Sequence, residues 1–345
     1  MVHFQESLLL WYAKNKRDLP WRHTKDPYRI WLSEVILQQT RVNQGMDYYL
    51  KFIETFPTVV DLSKAAEKQV LALWQGLGYY SRARNLHQAA KEVVNEHNGI
   101  FPSDYKTLLK LKGVGPYTAA AIASFSFNEA KAVLDGNVFR VLSRLYDINK
   151  PINSTNGQKE FQDISNNLLN TLDPATHNQA MMEFGALVCT PKRPKCDKCP
   201  FILECNSYKN NTVLLRPVKL KKTKVRSRYF IYTVFYNELK QLVFLKKRES
   251  KDIWQNLYDF HLEEIHEKKL FLDRVESLEK DKHIVKLQHK LTHQVINAVF
   301  FIEHTKESSD FKKLEPVHVE KINTYPIPTL IKNYLEKETD ISYSV

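Results

Sequence analysis

The sequence has no apolar run approaching the roughly 18 residues that a membrane span needs. Its hydrophobic and charged fractions, 43% and 26%, are those of a globular chain in water. A membrane protein is excluded. The opening stretch MVHFQESLLLWYAKNK places an acidic residue before a short apolar run and has no small-residue cleavage site. No export signal is read there, and a reducing compartment is expected. No internal repeat or low-complexity tract occurs, which removes repeat arrays and compositionally disordered chains. Cysteine is absent outside residues 189 to 205.

What is present begins with length: 345 residues exceed what one core usually serves, so two domains are expected. Lysine and arginine number 51 against 39 acids, a formal charge of +12, which favours a polyanionic partner without choosing among DNA, RNA and lipid. Residues 206–228 hold eight basic residues and no acid. That stretch reads as a linker, either solvated or laid against phosphate. Before it, apolar residues return every three or four positions in SEVILQQTRV, EKQVLALWQGL and NVFRVLSRLYDI, so residues 1–205 read as all-α. After it the pattern alternates in YFIYTVFY and QLVFLKKR, separated by NELK, and again in HQVINAVFFIEH. Residues 229–345 therefore read as a smaller α+β domain that closes with a helix near PTLIKNYLEK.

The four cysteines, Cys189, Cys196, Cys199 and Cys205, are spaced C-x6-C-x2-C-x5-C. In a reducing compartment four thiolates so close together bind a tetrahedral zinc or an iron–sulfur cube, and the physics of sulfur ligation accepts both; two disulfides or free core cysteines are the bland alternative. Lys192, Arg193, Lys195 and Lys198 surround the loop with positive charge, as suits a knob facing phosphate. Upstream, FPSDYKTLLKLKGVGPYTAAAIASF reads as a helix-hairpin-helix, with Ser103 capping the first helix and the turn at 111–115. Gly113 and Gly115 are expected to take backbone angles closed to other residues and to present N–H groups to a phosphate. An ordinary αα-hairpin bent at glycine is the bland alternative.

Two acids stand out. Asp135 precedes a helix whose apolar face runs Val138, Val141, Leu142 and Leu145. It is either a plain N-cap or an anion kept ionised by amides and aimed at a sugar cation, and the geometry is the same for both. Glu34 sits among the apolar residues Ile30, Trp31, Leu37 and Val42. It is either a surface acid paired with Arg41 or Gln38, or a desolvated carboxyl that carries a proton to a leaving purine.

Taken in order, SEVILQQTRV, LWQGLGYYSRARNL, LKGVGPYTAAAI, LDGNVFRV, NQAMMEFGALVC and the cysteine loop resemble the MutY family of adenine DNA glycosylases, within the endonuclease III superfamily. The resemblance covers about residues 8 to 205 and implies a helical catalytic domain with a [4Fe-4S] cluster on the four cysteines. It implies that Glu34 protonates adenine and Asp135 stabilises the oxocarbenium ion, with Tyr117 and Asn137 positioning them. It further implies that Arg22 and Leu37 form the pocket for an extruded adenine while Gln39 and Tyr79 wedge into the duplex. Superfamily members that cut the strand carry a Schiff-base lysine before the Thr-Ala of the second hairpin helix. Here that place is Tyr117, so a monofunctional enzyme that leaves an abasic site is expected. The partner implied is duplex DNA with adenine opposite 8-oxoguanine or guanine. A monomer is expected, cytoplasmic and associated with a bacterial nucleoid.

The match continues more loosely into residues 229–345, where DIWQNLYDFHLEE and QHKLTHQVI resemble a Nudix-like domain that reads 8-oxoguanine. The resemblance gives that reading to Thr292 and His293. Trp254 is followed by Gln255-Asn256 where the family has paired glycines, and Leu291 stands for a phenylalanine. The box G-x5-E-x7-R-E-x-x-E-E is missing, so no pyrophosphohydrolase activity is expected. Two rivals are an endonuclease III-like lyase, against which Tyr117 argues, and a non-catalytic damage-binding module. Glu34 and Asp135 argue against the second, since neither helps to hold a polyanion.

Overall fold

The computed structural model describes residues 2–220, 225–306, 314–337 and 341. Of the basic linker expected at 206–228, residues 221–224 lie outside the described residues, as do 307–313, 338–340 and 342–345 of the C-terminal domain. The chain forms two compact units, Met1–Lys64 with Gln88–Lys221, and Ala65–His87 with Lys222–Val345. The second unit thus takes a piece of the helical half of the sequence.

The helical elements are α1 (Val2–Asn15), α2 (Pro27–Ile36), α3 (Val42–Thr55), α4 (Val59–Lys64), α5 (Glu67–Leu73), α6 (Ser81–His97), α7 (Tyr105–Leu108), α8 (Pro116–Phe127), α9 (Gly136–Leu145), α10 (Thr155–Leu168), α11 (Pro174–Leu187) and α12 (Asn206–Lys209). Three of them start alike. Asp26, Gly115 and Asp173 are the caps and proline follows each, where its missing N–H costs nothing and its fixed φ suits the first turn. Tyr12 of α1, Val138, Val141 and Leu142 of α9, Phe161 of α10 and Phe184 of α11 share one buried cluster with Phe201 of the cysteine loop. Ile30 of α2 packs with Ala120, Ala121 and Phe125 of α8 in a second.

Two local expectations change. Asp104, not Ser103, caps α7, its carboxylate accepting from the Thr107 N–H at 2.9 Å. The apolar period of SEVILQQTRV outruns its helix: α2 ends at Ile36, and Gln39 takes a left-handed φ of 58° in the turn that follows. Residues 206–220 of the basic stretch dock at the end of α9, whereas residues 226–228 open the first strand of the second unit. Asp147, at φ 55°, accepts from Ser207 (3.1 Å), Asn210 (2.9 Å) and Thr212 (2.6 Å) and pairs with Arg216 at 2.9 Å. Further on, the Ile152 N–H donates to the Val218 carbonyl at 3.0 Å.

In the second unit the strands are β1 (Arg226–Asn237), β2 (Leu242–Lys247), β3 (Tyr258–Asp259), β4 (His261–Ile265), β5 (Val285–Lys290), β6 (Gln294–His304) and β7 (Glu315–His318), with α13 (Lys268–Asp281) and α14 (Thr329–Leu335). They order as β3-β2-β1-β6-β5, with β4 also paired to β1 and β7 to β2. β1 runs parallel to β6, Tyr232 opposite Phe300, and antiparallel to β4. Phe300 stacks on Tyr232 and on Tyr334 of α14 with centroids 4.7 and 4.3 Å apart, which closes one face of the sheet.

Candidate active site

In the first unit a cavity of about 870 Å³ opens between α2, α8, α9 and α11. Both acids singled out above line it. Glu34 is 6% exposed on the inner face of α2, and its Oε2 accepts from the Tyr117 hydroxyl, which α8 brings across from the hairpin. It is not a surface acid. Burial raises its pKa to about 7, with Asp135 adding to the rise and the Tyr117 hydrogen bond and Arg22 opposing it. Burial pushes the Tyr117 phenol well above its ordinary range too, so it stays a donor.

Asp135 caps α9. Its Oδ1 accepts from the N–H groups of Asn137 (2.9 Å) and Val138 (2.7 Å), and its Oδ2 from Asn137 Nδ2 (2.7 Å). Burial raises the pKa of this carboxyl, while those three donors and Arg140 pull it down. The expectation that amides hold the anion is met in geometry, yet desolvation is the larger effect. Asn137 is itself fixed, because Arg140 donates to its Oδ1 at 2.8 Å and to the Gly185 carbonyl at 2.6 Å.

Arg22 and Leu37 line the same cavity. Arg22 forks onto Glu183 of α11 (3.1 and 2.8 Å), which also takes both arms of Arg17 (2.9 and 2.6 Å). Glu183 is buried, which alone would raise its pKa, but the two guanidiniums bring it down to about 2. Sequence reasoning missed Glu183. Its signal was a lone acid four residues after Gln179 in NQAMMEFGALVC, and both residues face the cavity.

The other expected residues lie elsewhere. Gln39 is exposed on the α2–α3 turn. Gly113 takes the left-handed φ of 76° expected of it, but Gly115 is extended at φ −91°, open to any residue. What Gly115 provides is space: a Cβ there would meet nothing within 4 Å, beside the first amides of α8. Tyr79, Thr292 and His293 belong to the second unit. Thr292 and His293 form the exposed tip between β5 and β6, where the Leu291 N–H donates to the Gln294 carbonyl at 2.8 Å. The Tyr79 hydroxyl and the Thr292 hydroxyl are hydrogen-bonded. Asn256, in a glycine position of the family pattern, takes φ 65°, which asparagine tolerates better than most residues.

All four cysteines are free and line one small cavity of about 30 Å³ together with Arg144. Among the described residues no three or more His, Cys, Asp or Glu side chains close around a single point as one ion's ligands would. The donor set nonetheless fits a sulfur-ligated group. Burial pushes the Cys199 thiol up to about 12 and raises Cys196 and Cys205, so thiolates here require a cation among them. Lys192, Arg193, Lys195 and Lys198 are exposed around the loop. Arg144 ties that loop to α9, donating to the carbonyls of Thr190 (2.7 Å), Pro191 (2.9 Å) and Val213 (2.9 Å).

A hairpin beside a cavity walled by two unlike carboxyls and a four-cysteine loop defines a DNA base-excision glycosylase. In agreement, residues 32–166 match the HhH-GPD superfamily of base excision DNA repair proteins and residues 232–337 match the NUDIX domain. The chain belongs to the adenine DNA glycosylase family. It is 40% identical over 264 residues to the adenine DNA glycosylase of Buchnera aphidicola subsp. Baizongia pistaciae, covering 74% of this chain and 73% of that one. The corresponding protein of the Schizaphis graminum subspecies is 33% identical over 307 residues, 86% of each chain. Among solved structures, a thermostable thymine-DNA glycosylase is 30% identical with a TM-score of 0.55, over 60% of this chain and 95% of that one. Among the described residues no helix is long and apolar enough to cross a membrane.

Proposed function

We propose that the enzyme hydrolyses the N-glycosidic bond of adenine mispaired with 8-oxoguanine or guanine, leaves an abasic site and does not cut the strand. The observation that carries this reading is the pair of carboxyls with unlike surroundings in one cavity of ligand size. Glu34, with a pKa of about 7, holds a proton in the neutral range and donates it to a ring nitrogen of the extruded base. The glycosidic electron pair leaves with the base. Asp135, at the positive end of α9, faces the sugar cation that remains, and water adds to the anomeric carbon, its proton passing to the Glu34 carboxylate left by the first transfer. Tyr117 orients Glu34 and Asn137 orients Asp135. Arg22, held by Glu183, and Leu37 wall the base pocket. Gln39 and Tyr79, both at left-handed φ, fill the gap in the duplex, and the hairpin amides after Gly113 and Gly115 hold its backbone.

Water is the nucleophile in this reading because no lysine is among the described residues lining the cavity. The deciding test uses duplexes with adenine or cytosine opposite 8-oxoguanine, resolved with and without alkali. Scission of the adenine strand only after alkali, lost in Asp135→Asn, is expected. Scission without alkali would make the enzyme a lyase, and tight binding without any cleavage would make it a recognition module.

Cys189, Cys196, Cys199 and Cys205 would hold a [4Fe-4S] cluster, which when bound supplies a covalent tie across the loop and takes no part in the chemistry. Iron and sulfide in the purified protein, with visible absorbance, are expected; one equivalent of zinc instead would reject the cluster. Thr292 and His293 read the oxidised base from the exposed β5–β6 tip. Thr292→Ala should lower the preference for 8-oxoguanine over guanine, and an unchanged ratio would move the reading elsewhere.

A further inference from the structure

We propose that the C-terminal β domain also acts as a clamp on the turn that carries Tyr79, and that Asn256 and Lys68 are positioning residues of that clamp. The proposal rests on the functional reading only in taking Tyr79 to enter a duplex.

The turn between α5 and α6 is costly as built. Gly76, Gly78 and Tyr79 take φ of 100°, 69° and 48°, and the last is a bulky residue in a region that costs non-glycine residues about 1–2 kcal/mol. Tyr79 also remains 42% exposed, so burial of its ring does not compensate. Such a conformation persists only where neighbours over-determine it. Part of that comes from inside the turn. Trp74 Nε1 donates to the Gly78 carbonyl at 3.0 Å, and the Arg82 guanidinium lies over the Trp74 and Tyr79 rings at 5.0 and 5.9 Å.

The rest comes from the β domain, on both sides of the turn. Before it, Asn256 Nδ2 donates to Glu67 Oε1 at 2.6 Å, and the Lys68 ammonium sits over the rings of Tyr325 (3.1 Å) and Tyr258 (5.2 Å). After it, the Tyr80 hydroxyl donates to the Ile327 carbonyl at 3.5 Å and Arg84 donates to the Gln255 carbonyl at 2.9 Å. At the tip, Tyr79 meets Thr292. These contacts give a physical reason for segment 65–87 forming one compact unit with the β domain.

They also explain a departure in the sequence. Of the two residues standing where the family pattern has paired glycines, Gln255 holds this segment through a backbone carbonyl that glycine would also supply, whereas Asn256 holds it through a side-chain amide that glycine lacks. At φ 65° a glycine would serve the backbone equally well, but it could not reach Glu67.

Asn256→Gly is therefore a clean deletion of one anchor without backbone strain, and Lys68→Met removes a second. Hydrogen exchange in the free full-length protein reads the turn directly. Each variant should speed exchange of amides 74–82 by roughly tenfold, with 27–36 unchanged, and Lys68→Arg should restore protection, since a guanidinium also binds an aromatic face. In single turnover, adenine release should fall by a similar factor opposite 8-oxoguanine and opposite guanine, leaving their ratio intact, and 2-aminopurine beside the lesion should lose its unstacking signal. Unchanged exchange at 74–82 in both variants would overturn the clamp. If the wild type leaves adenine uncut, the functional reading fails instead, and exchange alone decides the clamp.

Discussion

At the scale of single residues, Glu34 shows what burial does to an ordinary acid. In water its carboxyl would titrate near 4.5; between α2 and α8 it titrates near 7 because the anion loses hydration there and faces Asp135. The folded state thus favours the neutral form. Its stabilising contribution is complete below 4.5 and is lost as pH rises through about 7. Glu34→Gln cannot ionise, so it should gain thermal stability over the wild type across that window, by on the order of 3 kcal/mol at the alkaline end. A difference that stays flat with pH would mean the carboxyl is solvated. The same variant should release no adenine at any pH, whereas the wild-type rate should fall on an alkaline limb centred near 7. Composition and periodicity revealed the residue and its apolar neighbours; Tyr117, 83 positions away, entered only through the family resemblance, because it is the α2–α8 packing that brings the two together.

At the scale of elements, α9 is the part that could be anticipated most fully. An Asp before an apolar period of 3.6 is a helix start, and Asp135 is that cap. What could not be anticipated is how closely α11 approaches it. A Cβ on Gly185 would lie 2.6 Å from the Asn137 Cβ and 3.0 Å from its carbonyl oxygen, so this glycine is a spacing residue, invisible to any rule about turns. Gly185→Ala should push Asn137 away from Asp135, destabilise the protein by roughly 1–3 kcal/mol and slow adenine release more than it weakens DNA binding. Normal single-turnover rates with a lowered melting temperature would confine the glycine to packing. The α2 end failed in the sequence reading for a related reason. Periodicity counted Leu37 and Val42 as one stripe, but the chain turns between them, and Gly45 of α3 packs so near Leu37 that a Cβ would stand 2.7 Å from its Cδ2.

At the scale of the whole molecule, charge was legible in amount and only partly in use. The excess of +12 called for a polyanion, and the basic stretch 206–228 was its obvious carrier. Yet Arg216 of that stretch is spent on Asp147, and residues 206–220 are tied to Asp147, just past α9, by side chains with no local signature. The cysteine loop instead presents Lys192, Arg193, Lys195 and Lys198 outward from a rigid base, secured by Arg144 and the buried Phe201. A fixed cluster of exposed cations is better placed to displace counterions from DNA than cations already paired within the protein. Binding to an adenine–8-oxoguanine duplex should therefore weaken steeply with salt, by about a thousandfold between roughly 50 and 200 mM for about six phosphate contacts. Lys195→Ala and Lys198→Ala should each lower the slope of log affinity against log salt by about one, equally on damaged and undamaged duplexes. A slope that both substitutions leave unchanged would take the loop off the DNA and return the charge to the other basic faces.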